Sequence, residues 1–382
     1  MSDARSEWDV VVVGAGPAGA VAARQLARRG AAVLLVDKAK FPRDKVCGCC
    51  INAAALQALE SIGLGRLPAS LGATNLSRFH LCAHRRQAAL AIPQGVSLSR
   101  RALDHALTLE AVRAGVTFRP STIATLSNVD DRFRYVRLQH GADNQIVAAR
   151  LVLAADGLDS RLLHEGRSVR PTLAGRSRMG VAAICDDGGH DYRPGHIYMA
   201  CGRGGYVGVV RLEDGKLNVA AAVDPKSVKR IGGPGPASAS ILVQAGLTPI
   251  NDLTHQTWRG TGCLNRRRLT LGTHRVLVLG DAAGYVEPFT GEGITWALAS
   301  AQAITEPAMR GVGHWQADIV RQWSCQHRQL VGRRQRICRL IRRPLRHPAF
   351  VAAVITVLRG APGLVRPLLG AINAPMVAAE GS

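Results

Sequence analysis

The chain has 382 residues, too many for one small core and enough for one large or two modest domains. Its 47% hydrophobic and 20% charged residues exclude a disordered or low-complexity chain, and 4% aromatic content weakens any reading built on stacking platforms. A formal charge of +22 favours anionic partners such as phosphates or acidic lipid. No recognition motif accompanies the charge, so no nucleic acid is expected.

Ser2 to Trp8 is polar and runs straight into a strand, which argues against a cleavable apolar leader. Together with nine scattered cysteines this fits a reduced, cytoplasmic setting. Val10 to Val13 is a continuous β-branched run, the pattern of a strand buried on both faces. Gly14-Ala15-Gly16-Pro17-Ala18-Gly19 follows, then an alanine-rich helix ending near Gly30, then a second buried strand, Ala32 to Val36, that delivers Asp37 to its end. A GxGxxG set between strand and helix, with an acid closing the next strand, is the dinucleotide-binding arrangement. Its glycines allow a sharp turn and close approach to a pyrophosphate, and the helix N-terminus offers unpaired N–H groups.

Phe41 to Cys50 reads FPRDKVCGCC. The cysteines lack the paired spacing and the neighbouring histidine of a zinc site, so no metal is expected. Cys47 and Cys50 do form a C-x-x-C, which leaves a redox dithiol as an alternative to a cofactor-side loop. Ser97 to Ala114 has helical spacing, Val116 to Phe118 and Ile146 to Leu153 read as strands, and Asp156-Gly157 ends the latter. Residues 171–259 hold short β-type runs with glycine-rich turns, the signature of an antiparallel sheet. Val276 to Leu279 is again a buried strand, followed by Gly280-Asp281 and by Gly291-Glu292-Gly293 opening a helix near Ile294. The last 70 or so residues are basic and helical, interrupted by Arg359 and Arg366, and no stretch reaches the ~18 uncharged apolar residues of a span. Such a segment suits an anionic bilayer surface or a core-packing helix equally.

The dinucleotide unit, the Asp156-Gly157 pair and the GDAAG of Gly280 to Gly284 together resemble the FAD-dependent family with the para-hydroxybenzoate hydroxylase fold. FPRDKVCG after the second strand and the segment running into GEGITWALASA resemble, within it, the geranylgeranyl reductase branch, a relative of the flavin-dependent halogenases. The resemblance implies an α/β FAD-binding Rossmann-like domain, an antiparallel β-sheet substrate domain and C-terminal helices. It places the FAD-binding domain at 1–70, 97–170 and 260–308, the substrate domain at 71–96 and 171–259, and the basic helical segment at 309–382. It also implies roles. Gly14, Gly16, Pro17, Ala18 and Gly19 hold the pyrophosphate, and Asp37 with Lys38 meets the adenosine ribose. Arg100 contacts the phosphate region, and the backbone at Ile123 meets adenine. Asp156, Gly280 and Asp281 belong to the cofactor site, with Asp281 on a ribityl or ribose hydroxyl. Gly291, Gly293 and Ile294 present N–H groups to the flavin N1/C2 carbonyl, with Glu292 facing away. Cys47 and Gly48 approach the ring, Cys47 being the candidate catalytic residue.

The function so implied is an FAD-dependent oxidoreductase reducing double bonds of a hydrophobic prenyl or polyprenyl substrate, with NADPH or another electron donor. Association with the inner face of a membrane would accompany a lipid substrate. The alternatives are a monooxygenase hydroxylating a phenolic or polyketide ring and, third, a halogenase. In place of the aromatic YxWxFP-type segment of prenyl reductases, this chain has GGYVGVVRLEDG, with Tyr206 its only aromatic residue.

Overall fold

The computed structural model describes residues 6–163, 172–173, 177–186, 191–287, 289, 291–342 and 344–376. Glu7–Val13 lies at the centre of the first sheet, parallel to Val33–Val36 on one side and to Asp143–Ala154 on the other. Thr117–Arg119 and Val276–Val278 extend it in parallel, Gly272–Thr273 adds an antiparallel edge, and the hairpin Ile123–Val129/Arg134–His140 pairs onto Asp143–Ala154. Val10, Val11 and Val12 have no exposure, which is why an unbroken β-branched run is tolerated there. The helices Pro17–Ala27, Arg100–Arg113 and Gly293–Ala303 pack together over this sheet. Trp323, on the long helix Asp318–Arg342, is fully buried and donates its indole N–H to the Val278 carbonyl at 2.8 Å, anchoring the C-terminal part to the sheet.

The second sheet runs Arg259–Cys263, Met179–Cys185, Leu217–Val223, Gly205–Arg211, His196–Gly202, Thr74–Ala83, Arg86–Ser97, Cys50–Ile51. It is antiparallel except where His196–Gly202 runs parallel to Thr74–Ala83. It takes in Cys50–Ile51 and Arg259–Cys263, which the sequence division leaves mostly with the cofactor unit. Alternation along its strands gives it two faces. Cys82, Ala200, Val207 and Ala221 pack beneath the helix Pro234–Ala245, while Leu81, Met199, Tyr206 and Ala222 face the interior with Val351 and Ile355 of Pro348–Gly360. Among the described residues no single helix is long and apolar enough to cross a membrane.

Candidate active site

The glycine turn is built by close approach. Gly14 has φ +104°, and a Cβ there would stand 2.3 Å from the Ala155 carbonyl oxygen. Asp37 braces the turn: its carboxylate accepts from the Ala15 N–H and the Ala39 N–H, both at 2.8 Å. Gly16 and Pro17 start the helix without a side-chain cap, leaving first-turn N–H groups to an outside acceptor. Two guanidinium groups face the same point, Arg100 Nη2 at 3.7 Å and Arg43 Nη2 at 3.9 Å from where a Gly16 Cβ would be. Both are aimed by one carboxylate. Asp104 takes two bonds from Arg100, at 2.8 and 2.7 Å, and pairs with Arg43 at 3.1 Å. An uncapped helix start flanked by two fixed arginines is a diphosphate-binding arrangement.

Across the cavity, Asp281 sits on the 3-10 turn Gly280–Ala283, and Gly280, with φ +61°, comes close to Ala18. Gly291 has φ +74° and precedes the helix Gly293–Ala303. Asn52 stands beside it. Its Oδ1 accepts from the Ala55 N–H at 2.9 Å and from the Thr295 hydroxyl at 2.7 Å. Its Nδ2 is buried with no hydrogen-bond partner among the described residues, and the residue lines the cavity. Lys45 also lines the cavity, its Nζ 3.1 Å from a Cβ placed on Gly157, and burial followed by the repulsion of Arg100 pushes its pKa down.

Cys47 to Cys50 closes this end. The Cys47 carbonyl accepts from Asn218 Nδ2 at 3.0 Å, tying the loop to the second sheet. The Cys47 sulfur accepts from the Cys49 N–H at 3.3 Å, and Cys49 holds φ +55°, a conformation that costs a non-glycine residue about 1–2 kcal/mol. Hydrogen bonding from Cys49, aided by Arg100, draws the Cys47 pKa down to about 6, while burial pushes Cys50 up to about 12. All nine cysteines are free. The contacts from Cys49 and Arg100 favour the Cys47 thiolate. Iodoacetamide labelling of Cys47, followed by mass spectrometry, should rise through pH about 6 and lie near its plateau at neutrality. In Cys49→Ala the inflection should move up toward the ordinary thiol range; an unchanged inflection would show that Cys49 does not set it.

These groups bound one cavity of about 600 Å³. Gly16, Pro17, Ala18 and Arg100 line it from one side, Asp281, Gly291, Gly293 and Ile294 from another, and Cys47 with Gly48 lies between. Its far wall is the inner face of the second sheet, and its roof is C-terminal: Leu345, Val351, Leu358 and Leu368 reach into it. Tyr206 is on that wall with Phe289 edge-on at 5.1 Å and Arg178 at 5.3 Å over its ring, and Phe79 meets Phe289 at 6.3 Å. Aromatic surface absent from the local sequence is thus assembled from three separate segments.

Several expected positions stand apart from the cavity lining. Gly14, Gly19 and Asp37 shape the turn from behind. Asp156 Oδ2 accepts from the Arg161 and Leu162 N–H groups at 2.8 and 3.2 Å, acting as a turn cap, and its neighbour Gly157 lines the cavity instead. Lys38 is exposed, and Ile123, 49% exposed, points outward from the start of a hairpin strand. The backbone before Ile123 stays at the site through the Thr122 N–H, which donates to the Asp37 carbonyl at 2.8 Å. Glu292 lies off the cavity, 0% exposed and bonded to Arg334 at 2.9 Å. Arg43 and Lys45 lie within the FPRDKVCG segment, but the role of Arg43 needs Asp104 brought from the helix Arg100–Arg113, and Asn52 looks in sequence like an ordinary helix cap.

Residues 7–201, half of the chain, match the profile of the FAD binding domain family. The chain belongs to this family. It is an FAD-dependent oxidoreductase of the geranylgeranyl reductase-like branch. A digeranylgeranylglycerophospholipid reductase of Methanopyrus kandleri is 30% identical over 320 residues, covering 80% of this chain and 81% of its own. A menaquinone reductase of Mycobacterium tuberculosis is 29% identical over 323 residues, covering 78% of this chain and 76% of that one. A triple mutant of the flavin-dependent brominase Bmp2 superposes with a TM-score of 0.78 at 17% identity, over 96% of this chain and 95% of that one. For p-nitrophenol 4-monooxygenase PnpA of Pseudomonas putida the TM-score is 0.76 at 17% identity, over 98% and 100%. At such identities the structural likeness shows the shared fold alone. The site fits FAD on its own terms: the uncapped helix start between Arg43 and Arg100 suits its diphosphate, and the partnerless Asn52 donor suits a ring carbonyl.

Proposed function

We propose that this FAD-dependent oxidoreductase saturates carbon–carbon double bonds in the prenyl chain of a lipid or quinone, with NADPH or another donor supplying electrons. The observation that carries the reading is the cavity. It is apolar from the Cys47 loop, along the inner face of the second sheet, to the C-terminal helices, a shape for an extended hydrocarbon chain rather than a compact polar ring. Relatives named for a digeranylgeranylglycerophospholipid and for menaquinone support the same substrate class.

Reduced FAD held in this site would be the source of a hydride for one carbon of the alkene. The chain's residues do the rest. Arg43, Arg100 and the start of the Pro17–Ala27 helix would hold the diphosphate, and Gly291, Gly293 and Asn52 would serve the ring's carbonyl side. The apolar wall excludes water and aligns the double bond. The second hydrogen must arrive as a proton, from a group still protonated at neutral pH. Cys47, with its pKa drawn down to about 6, is a poor proton donor. Cys50, up at about 12, and Tyr206, pushed above the ordinary tyrosine range by burial, both line the cavity and keep their protons.

Dithionite-reduced holoprotein, mixed anaerobically with a geranylgeranylated glycerophospholipid or a polyprenyl quinone, should yield product heavier by two hydrogen atoms per double bond. Flavin-dependent oxygen uptake with a product heavier by one oxygen atom would replace this reading with the hydroxylase alternative.

A further inference from the structure

The roof of the cavity has an outer face that the reaction does not use. On Pro348–Gly360, Val351, Ala352 and Ile355 are buried against the second sheet, while Phe350 and Val357, seven residues apart on the opposite stripe, are 53% and 55% exposed. Leu364 is 65% exposed and Leu340 72%. Large apolar side chains gathered in water on one part of a surface mark an interaction site. Phe350 and Leu364 also line the cavity and are exposed, so it has a mouth on this face.

The charge around the mouth has one sign. From Ile319 to Met376 the sequence holds eleven arginines and no acidic residue. Arg333, Arg336 and Leu340 fall on one exposed stripe of Asp318–Arg342, and Arg359 and Arg366 are exposed on the two helical segments beyond. Those segments, Pro348–Gly360 and Pro362–Asn373, are apolar together but bent by 117°. Two short apolar segments at such an angle suit the plane of a membrane interface, where arginines meet lipid phosphates and the apolar stripe enters the acyl region. A second copy of the chain is the poorer occupant, because two arginine-only faces repel.

We propose that this face docks on an anionic lipid bilayer, so that the cavity mouth opens into the membrane and a prenyl chain enters without crossing water. The entry step rests on the substrate reading above; the docking rests on the face alone. The test is flotation of the holoprotein with phosphatidylcholine vesicles, with and without phosphatidylglycerol. Binding is expected only with phosphatidylglycerol and should weaken as salt rises. Arg333→Gln/Arg336→Gln/Arg359→Gln should lower the partition coefficient on the order of a hundredfold. Leu340→Ser/Val357→Ser, which touches no cavity residue, should lower it roughly tenfold with FAD content and melting unchanged. Failure to float with phosphatidylglycerol vesicles would overturn the proposal. So would flotation indifferent to both variants, or a dimer in the ultracentrifuge that Leu340→Ser/Val357→Ser abolishes without any vesicle binding. Flotation needs no substrate, so a protein that floats as expected yet leaves prenyl chains unreduced supports the docking and sinks only the substrate reading.

Discussion

Arg334→Met is expected to destabilise the fold by about 3–5 kcal/mol and to loosen FAD at the same time. Arg334 lies on the long C-terminal helix, and its side chain is 8% exposed. It donates to Glu292 Oε1 at 2.9 Å, to the Ile372 carbonyl at 2.6 Å, and to the Ala374 carbonyl. Glu292, whose side chain is 1% exposed, precedes the helix Gly293–Ala303 and also takes a bond from the Cys338 thiol at 3.3 Å. One guanidinium thus fastens the ring-side helix start to the end of the roof, where Ile372 lines the cavity. Methionine keeps the apolar stem but takes the cation from a buried carboxylate and the donors from two carbonyls. Chemical denaturation should show the loss. Adding Glu292→Gln should recover a large part of it, because the charge that suffers is then gone. A single variant within about 0.5 kcal/mol of the wild type would mean that the ion pair does not hold the roof.

What could be read from the sequence was local. The run Val10 to Val13, the glycines after it and Asp37 lie within one strand–turn–helix–strand unit, and each is fixed by rules that act over a few residues: β-branching, freedom at positive φ, a helix start at Gly16-Pro17. The Gly280-Asp281 and Gly291-Gly293 turns were legible for the same reason. Features made by residues far apart were not. The Arg43–Asp104–Arg100 cluster joins a loop to a helix nearly sixty residues later, and the Cys47 pKa depends on Arg100 as well as on its own loop. The aromatic wall of Tyr206, Phe289 and Phe79 follows no linear motif. Ile123 shows the converse limit. A strand's alternation decides which way its side chain points, and the turn ahead of it, not visible as a pattern, turns it outward.

The basic C-terminal segment was readable as helix but not as roof. Its apolar positions alone fit a core helix or a membrane surface, and only the second sheet shows which of them pack inward. Val351 and Ile355 pack inward while Val357 and Leu364 stand in water. The same segment roofs the cavity, and Arg334 is the point where that roof is tied to the start of the helix Gly293–Ala303.

Gly19→Ala should weaken FAD binding on the order of a hundredfold, although it adds a single methyl group. A Cβ at Gly19 would lie 1.8 Å from the Gly14 carbonyl oxygen, 3.0 Å from the Gly14 carbonyl carbon and 3.2 Å from the Ala155 Cβ. The nearest two are backbone atoms of a buried turn, so no side chain can rotate out of the way. The helix must back off the strand by more than an ångström, and overpacking of this kind costs about 1–3 kcal/mol in stability. The larger effect is on the site. Backing off carries the Gly16-Pro17 helix start away from Arg100 and Arg43, so the N–H groups and the guanidinium groups no longer converge on one diphosphate. Losing two charge-assisted hydrogen bonds of about 1.5 kcal/mol or more each weakens FAD on the order of a hundredfold. Gly30→Ala is the matched control. Gly30 has φ +87° but nothing within 4 Å of its Cβ position, so alanine there brings only backbone strain, remote from the cavity. Fluorescence titration of the two apoproteins with FAD should therefore separate them. If Gly19→Ala binds FAD as tightly as Gly30→Ala, the helix start at Gly16 is not where the diphosphate sits.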